Sequence, residues 1–141
     1  MANREIYRGR LIDQLHLVVR DLAASRRFYG AALGVLNIPL IDGPDFFWAD
    51  ELFVSTKESP AAKGELTGRI HLAFHAPDRA TVDRFARPPW RRAGRTTAPP
   101  GERPYHPGYY AAFALDPDGD NIEVVFHGPA QRSAEAIKIA F

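Results

Sequence analysis

Leu11-Ile12-Asp13-Gln14-Leu15-His16-Leu17-Val18-Val19-Arg20-Asp21-Leu22 reads as a strand running into the start of a helix. Its apolar, β-branched character through Val19 favours the strand, although Asp13, Gln14 and His16 alternate with it imperfectly. Asp21 has the chemistry of a helix N-cap. Beyond it, Leu22, Phe28, Tyr29, Ala32 and Leu33 share one helical face, and Gly34 offers a stop. Three short extended runs follow at Val35 to Ile41, Phe46 to Ala49 and Glu51 to Thr56, punctuated by Asp42-Gly43-Pro44 and by Asp50. Residues 10–57 therefore read as a βαβββ module.

A shift of 57 residues lays this module over a second one. Asp21 then meets Asp78, Ala23 meets Ala80, Arg27 meets Arg84 and Phe28 meets Phe85, while Gln14 meets His71 and Leu15 meets Leu72. The second module is expected over residues 68–128, after a linker at 60–67. Its helix should end before Pro88-Pro89, because proline lacks the N–H and clashes with the preceding turn. A proline-rich loop is expected at 99–107, then strands at 109–115 and 122–127. Asp116-Pro117-Asp118-Gly119-Asp120 is the turn between those strands. The tail, 129–141, has weak helical spacing and is expected to fray, the alternative being that it packs on a partner subunit.

With 141 residues, 45% of them hydrophobic, the chain suits one compact domain, 1–141. The 18 basic and 17 acidic residues leave a net charge of +1, so no global field gathers nucleic acid or an anionic membrane. The cluster Arg84, Arg87, Arg91, Arg92 and Arg95 reads as solvated surface. Without cysteine, disulfides, thiolate ligands and a thiol nucleophile are excluded, and any metal must sit on nitrogen and oxygen. The polar N-terminus and the lack of any run of about 18 apolar residues predict a soluble cytoplasmic protein.

Side chains two apart on a strand share a face, which groups Gln14 with His16, His71 with Ala73 and His75, and Glu123 with Val125 and His127. A carboxylate in the middle of Asn121-Ile122-Glu123-Val124-Val125-Phe126 must be answered, since an unpaired buried charge is costly. Two answers stand. One is a divalent metal held by Gln14, His71 and Glu123, with positions open for substrate. The other is a core Glu123 paired with His71, His75 or an arginine. His106, in a loop between Tyr105 and Pro107-Gly108, is a candidate acid or base, and Tyr110 is a second catalytic candidate. Trp48, Phe53 and Tyr109 are expected to wall a small-molecule pocket, the alternative being sheet and core packing.

Ile12 to Leu22 with Phe28-Tyr29, then Arg69-Ile70-His71-Leu72-Ala73-Phe74, then Asp116 to Glu123, resemble in that order the vicinal-oxygen-chelate superfamily of glyoxalases, bleomycin-resistance proteins and extradiol dioxygenases. The resemblance spans roughly residues 10–128. It implies an α+β fold in which two βαβββ modules form a cupped mixed sheet. The inner face would carry metal ligands from the first and last strand of each module, here His71 and Glu123. The first-strand histidine, seven residues before the Asp-Leu that opens the helix, is Gln14 in this chain. Some glyoxalase I enzymes use glutamine there, and His16 is the possible substitute. The fourth ligand position falls on Phe53 when Asp50 is laid over Asp120. The second carboxylate of glyoxalase I is then missing, which argues against lactoylglutathione lyase activity, because proton abstraction needs a base beside the metal.

These readings predict a metalloenzyme that chelates a small oxygenated substrate at iron, manganese, nickel or zinc, by lyase, isomerase or dioxygenase chemistry. The competing expectation is a non-catalytic, bleomycin-resistance-like binding protein with a degenerate, metal-poor site, down to no cofactor at all. Both readings expect a homodimer. Both leave open whether the cup closes within one chain or between two.

Overall fold

The computed structural model of the chain describes residues 5–8, 11–62, 64–87, 96–129 and 137–140. Strand β1 is Glu5–Arg8. The first module then runs β2 (Leu15–Val19), α1 (Leu22–Val35), β3 (Ile41–Asp42), β4 (Phe46–Ala49) and β5 (Leu52–Thr56). The second runs β6 (His71–His75), α2 (Arg79–Phe85), β7 (Thr96–Glu102), β8 (Tyr110–Leu115) and β9 (Asn121–Phe126), before β10 (Ile137–Ala140). Each module makes one four-stranded mixed sheet, in the orders β2-β5-β4-β3 and β6-β9-β8-β7. In both, the first strand lies parallel to the last and the others are antiparallel. This is the α+β pair of βαβββ units expected from the repeat.

The two helices begin alike because both caps are aspartates 57 positions apart. Asp21 accepts the Ala24 N–H at 3.1 Å, and Asp78 accepts the Thr81 N–H at 2.8 Å. The bonds from the Thr81 hydroxyl and N–H hold the Asp78 carboxyl below its ordinary range. Helix α2 stops at Phe85, ahead of the two prolines, which lie outside the described residues. Arg84 and Arg87 are exposed, whereas Arg91, Arg92 and Arg95 also lie outside the described residues.

Three expectations are corrected. The run from Val35 to Ile41 is not a strand: α1 continues through Gly34, and the helix closes where Asn37 takes φ 60° and the Ile38 N–H returns to the Leu33 carbonyl. Only Ile41–Asp42 is extended. Part of the proline-rich loop is strand β7, because Pro99 and Pro100 sit at the edge of the sheet where the register with β8 shifts and fewer N–H donors are needed. The tail does not simply fray, since Ile137–Ala140 pairs antiparallel with Glu5–Arg8.

Leu17, Val19, Phe28, Tyr29, Leu33, Phe47 and Val54 of the first module join Val82, Phe85, Ala112, Ile122 and Val124 of the second in a single buried cluster. The modules are therefore packed on one another within this chain. Among the described residues no helix is long and apolar enough to cross a membrane.

The turn between β8 and β9 fastens the two modules together. Asp116 Oδ1 accepts the N–H groups of Asp118 (3.0 Å) and Asp120 (2.8 Å), and Gly119, at φ +90°, completes the turn. Asp116 Oδ2 accepts the hydroxyl of the fully buried Tyr29 from α1 at 2.6 Å. Asp118 Oδ2 accepts the Arg20 N–H at 3.0 Å, and Asp120 Oδ1 the Ile70 N–H at 2.9 Å. Burial, reinforced by the Asp116 charge, drives the Tyr29 phenol far above its usual range. Burial is also the main reason that the Asp120 carboxyl is pushed up to about 6, with the charges of Asp116 and Asp118 adding to it against the opposing Ile70 N–H bond.

Replacing Tyr29 by Phe strands one buried oxygen of Asp116 and should lower the unfolding free energy by about 1–3 kcal/mol, read from urea melts. A second expectation concerns pH. Asp120 binds its proton more tightly folded than unfolded, so its contribution to stability is greatest below the unfolded carboxylate range and is lost as pH rises towards about 6. Thermal melts should therefore show the stability of the natural protein falling relative to Asp120→Asn across that interval, with a constant difference above it.

Candidate functional site

The face of the second sheet turned away from the core carries His71, Ala73 and His75 from β6, Ala111, Phe113 and Leu115 from β8, and Asn121, Glu123 and Val125 from β9. Register sets Glu123 between Ala73 and Phe113. It is 3% exposed, and both of its oxygens are answered. His71 Nε2 approaches Oε1 at 2.9 Å, and the Tyr109 hydroxyl donates to Oε2. Burial first, then the bond to Glu123 and its charge, raise the Tyr109 phenol well above its ordinary range, so it stays a donor at physiological pH. The His71 side chain is 53% exposed, so the pair has a solvent side and a buried side.

Around this carboxylate the groups are aromatic and basic. The His71 ring lies 5.7 Å from Phe113, and the Arg103 guanidinium sits 5.5 Å from the centre of the same phenyl ring. His106 and His127 stack at 5.2 Å, each lying edge-on to Tyr109, and His75 lies 5.8 Å from His127. Four of the five histidines of the chain are thus gathered on this face and its bordering loop.

The first sheet is different. His16, Phe53, Phe46 and Ser55 share a face, with Phe46 stacked on Phe53 at 5.0 Å and His16 edge-on to Phe53 at 4.9 Å. Register pairs His16 with Phe53 as it pairs Ala73 with Glu123, and His16 and Ala73 are 57 residues apart. Phe53 therefore fills in the first module the place that Glu123 fills in the second. Trp48 is half-buried opposite Phe53.

A sequence model of the glyoxalase/bleomycin resistance protein/dioxygenase superfamily matches residues 11–124. The chain belongs to this superfamily. It is 32% identical over 128 residues, covering 81% of this chain and 97% of the other, to the uncharacterized protein YqjT of Bacillus subtilis (strain 168). Among solved structures, it resembles a glyoxalase/bleomycin resistance protein from Albidiferax ferrireducens T118 with TM-score 0.66 and 26% identity, over 82% of this chain and 98% of that one. A lactoylglutathione lyase from Agrobacterium tumefaciens shares the fold at TM-score 0.58 and 20% identity, over 83% and 93% of the two chains.

Superfamily members commonly use a divalent metal, and the donors present here can be tested against one. Among the described residues no group of three or more histidine or acidic side chains is arranged to hold an ion. Gln14 is exposed in the segment ahead of β2. His16 is committed elsewhere: the Ser55 hydroxyl donates to the Thr56 carbonyl at 3.1 Å, so at 2.7 Å it accepts the proton on His16 Nε2. Burial lowers the His16 pKa and keeps the ring neutral. Only His71 and Glu123 meet, and the Tyr109 hydroxyl occupies the second carboxylate oxygen. The arrangement does not fit a protein-held divalent ion.

Of the other sequence candidates, Tyr109 belongs with Glu123 and His106 borders it, whereas Tyr110 does not. Its hydroxyl donates to Asp83 of α2 at 2.6 Å and Arg79 lies 4.6 Å from its ring centre, on the helix side of the sheet. Trp48 and Phe53 belong to the first sheet. Arg103 and His75 join the face unforeseen as site residues, although strand alternation had grouped His75 with His71. Tyr109→Phe removes one of the two donors from a buried carboxylate and should destabilise the fold by about 1–3 kcal/mol in chemical denaturation.

Proposed function

We propose that this superfamily member binds a small oxygen-bearing molecule on the face of the second sheet, at Tyr109, Glu123 and His71, and works through proton-holding groups without a resident metal. The observation that carries the reading is the buried Glu123 carboxylate, satisfied by a phenol on one oxygen and a half-exposed imidazole on the other. Keeping a carboxylate in a sheet without an ion requires donors in fixed places, and both donors here have rings that a ligand can touch. His71 offers its exposed edge, and Arg103 over Phe113 offers a cation beside an aromatic surface. The assembly is a homodimer in the cytoplasm.

The metalloenzyme reading keeps one observation in its favour, the approach of His71 Nε2 to Glu123 Oε1 at 2.9 Å. Metal analysis by plasma mass spectrometry on untagged protein separates the two. Far less than one ion per chain is expected, even after incubation with iron, manganese, nickel and zinc. A thermal-shift screen of phenols, vicinal diols and thiol adducts should find ligands that stabilise the natural protein and lose their effect in His71→Ala. Near-stoichiometric metal that disappears in both His71→Ala and Glu123→Ala would replace this reading with the metalloenzyme.

A further inference from the structure

The loop after β7 crosses the end of β9 at two glycines. Gly108 and Gly128 have φ +83° and +86°, and a Cβ on Gly128 would lie 3.0 Å from the Gly108 carbonyl oxygen and 3.1 Å from its Cα. This backbone-to-backbone approach exists because both residues lack a side chain. It sets His106 against His127, their rings 21° from parallel and His106 Nε2 2.9 Å from His127 Nδ1.

The far end of this pair fixes where its protons sit. His106 Nδ1 lies 2.9 Å from the Pro107 carbonyl oxygen, which can only accept, so Nδ1 carries the hydrogen. A neutral ring protonated there has a lone pair on Nε2. The bond between the two rings must then run from His127 Nδ1–H to His106 Nε2. His127 is left with a lone pair on Nε2, for which the described residues hold no hydrogen-bond partner.

We propose that His127 is the proton-accepting residue of this site, that His106 is its positioning residue, and that the ligand carries an ionisable O–H of the phenol or enol kind. This rests on the ligand-binding reading of the same face. A ring that donates from one nitrogen to a fixed acceptor is locked in orientation, with the lone pair of its other nitrogen held in a fixed direction. The aromatic edges of Tyr109 and the ring of His75 surround His127 and suit a planar ligand. In the step itself the ligand O–H bond breaks, its electron pair stays on oxygen, and the proton moves to His127 Nε2. The products are an imidazolium and a ligand oxyanion side by side, with the new positive charge shared along the relay to the Pro107 carbonyl.

Imidazole nitrogen–proton correlation NMR on the unliganded protein near about pH 8, where free imidazole is neutral, reads the tautomers directly. His127 is expected as the Nδ1–H form, and His106→Phe, which keeps a stacking ring but removes the acceptor, should return it to the Nε2–H form. Nε2–H in the natural protein overturns the relay whether or not the face binds anything. The second arm uses 4-nitrophenol at a pH just below its free titration. The natural protein should raise the phenolate absorbance, and His127→Gln, with an unchanged thermal melt, should abolish the rise. A phenolate signal that survives His127→Gln overturns the assignment of His127, and no signal with the natural protein overturns the ligand class. Failure of the broader binding reading shows differently, as a thermal-shift screen without any stabilising ligand.

Discussion

The carboxylate of Asp116 is the constraint on which the arrangement of the two modules rests. One oxygen organises the turn by holding the N–H groups of Asp118 and Asp120, and the other reaches into the first module to take the Tyr29 hydroxyl. A four-residue turn can only aim its two flanking strands. By gripping a buried phenol on α1 as well, this one also fixes how the second sheet sits against the first helix. Asp118 and Asp120 extend the grip to the backbone of Arg20 and Ile70. The crowding of three carboxylates is tolerated because each meets a donor, and the raised Asp120 pKa is the residual strain.

The same economy governs the candidate site. Glu123 is a charge in a sheet, and the chain answers it with Tyr109 from the loop and His71 from the neighbouring strand. At the equivalent place in the first module Phe53 stacks on Phe46 and supports His16. Two modules of one design have thus been given opposite characters, one apolar and one rich in imidazole. The superfamily fold supplies the two faces, and the identity of the side chains at equivalent register positions decides what each can do.

Much of this was legible in the sequence because it depended on local chemistry or on the repeat. The paired N-caps at Asp21 and Asp78, the turn at Asp116 and the need for Glu123 to find a partner all follow from residues close together or 57 apart. The placement of Phe53 followed from superposing the two halves. What could not be read depended on the path of the chain between elements. Tyr109 and Tyr110 are neighbours on opposite faces, and alternation does not tell which one faces Glu123 when β8 begins between them. Pro99 and Pro100 argued for a loop because their tolerance at a sheet edge depends on where that edge lies in space. The His106 partner of His127 depends on the contact of Gly108 with Gly128, which no local pattern announces.

The pairing of β1 with β10 joins Glu5 to Ala140 and Arg8 to Ile137. Strands from opposite extremes of the described residues therefore lie side by side. Among the described residues the same pairing has the largest sequence separation. It closes the longest loop among them, bears the greatest loop entropy, and belongs among the last contacts made as the chain folds. The modules can assemble around Asp116 first and be clasped afterwards by the ends.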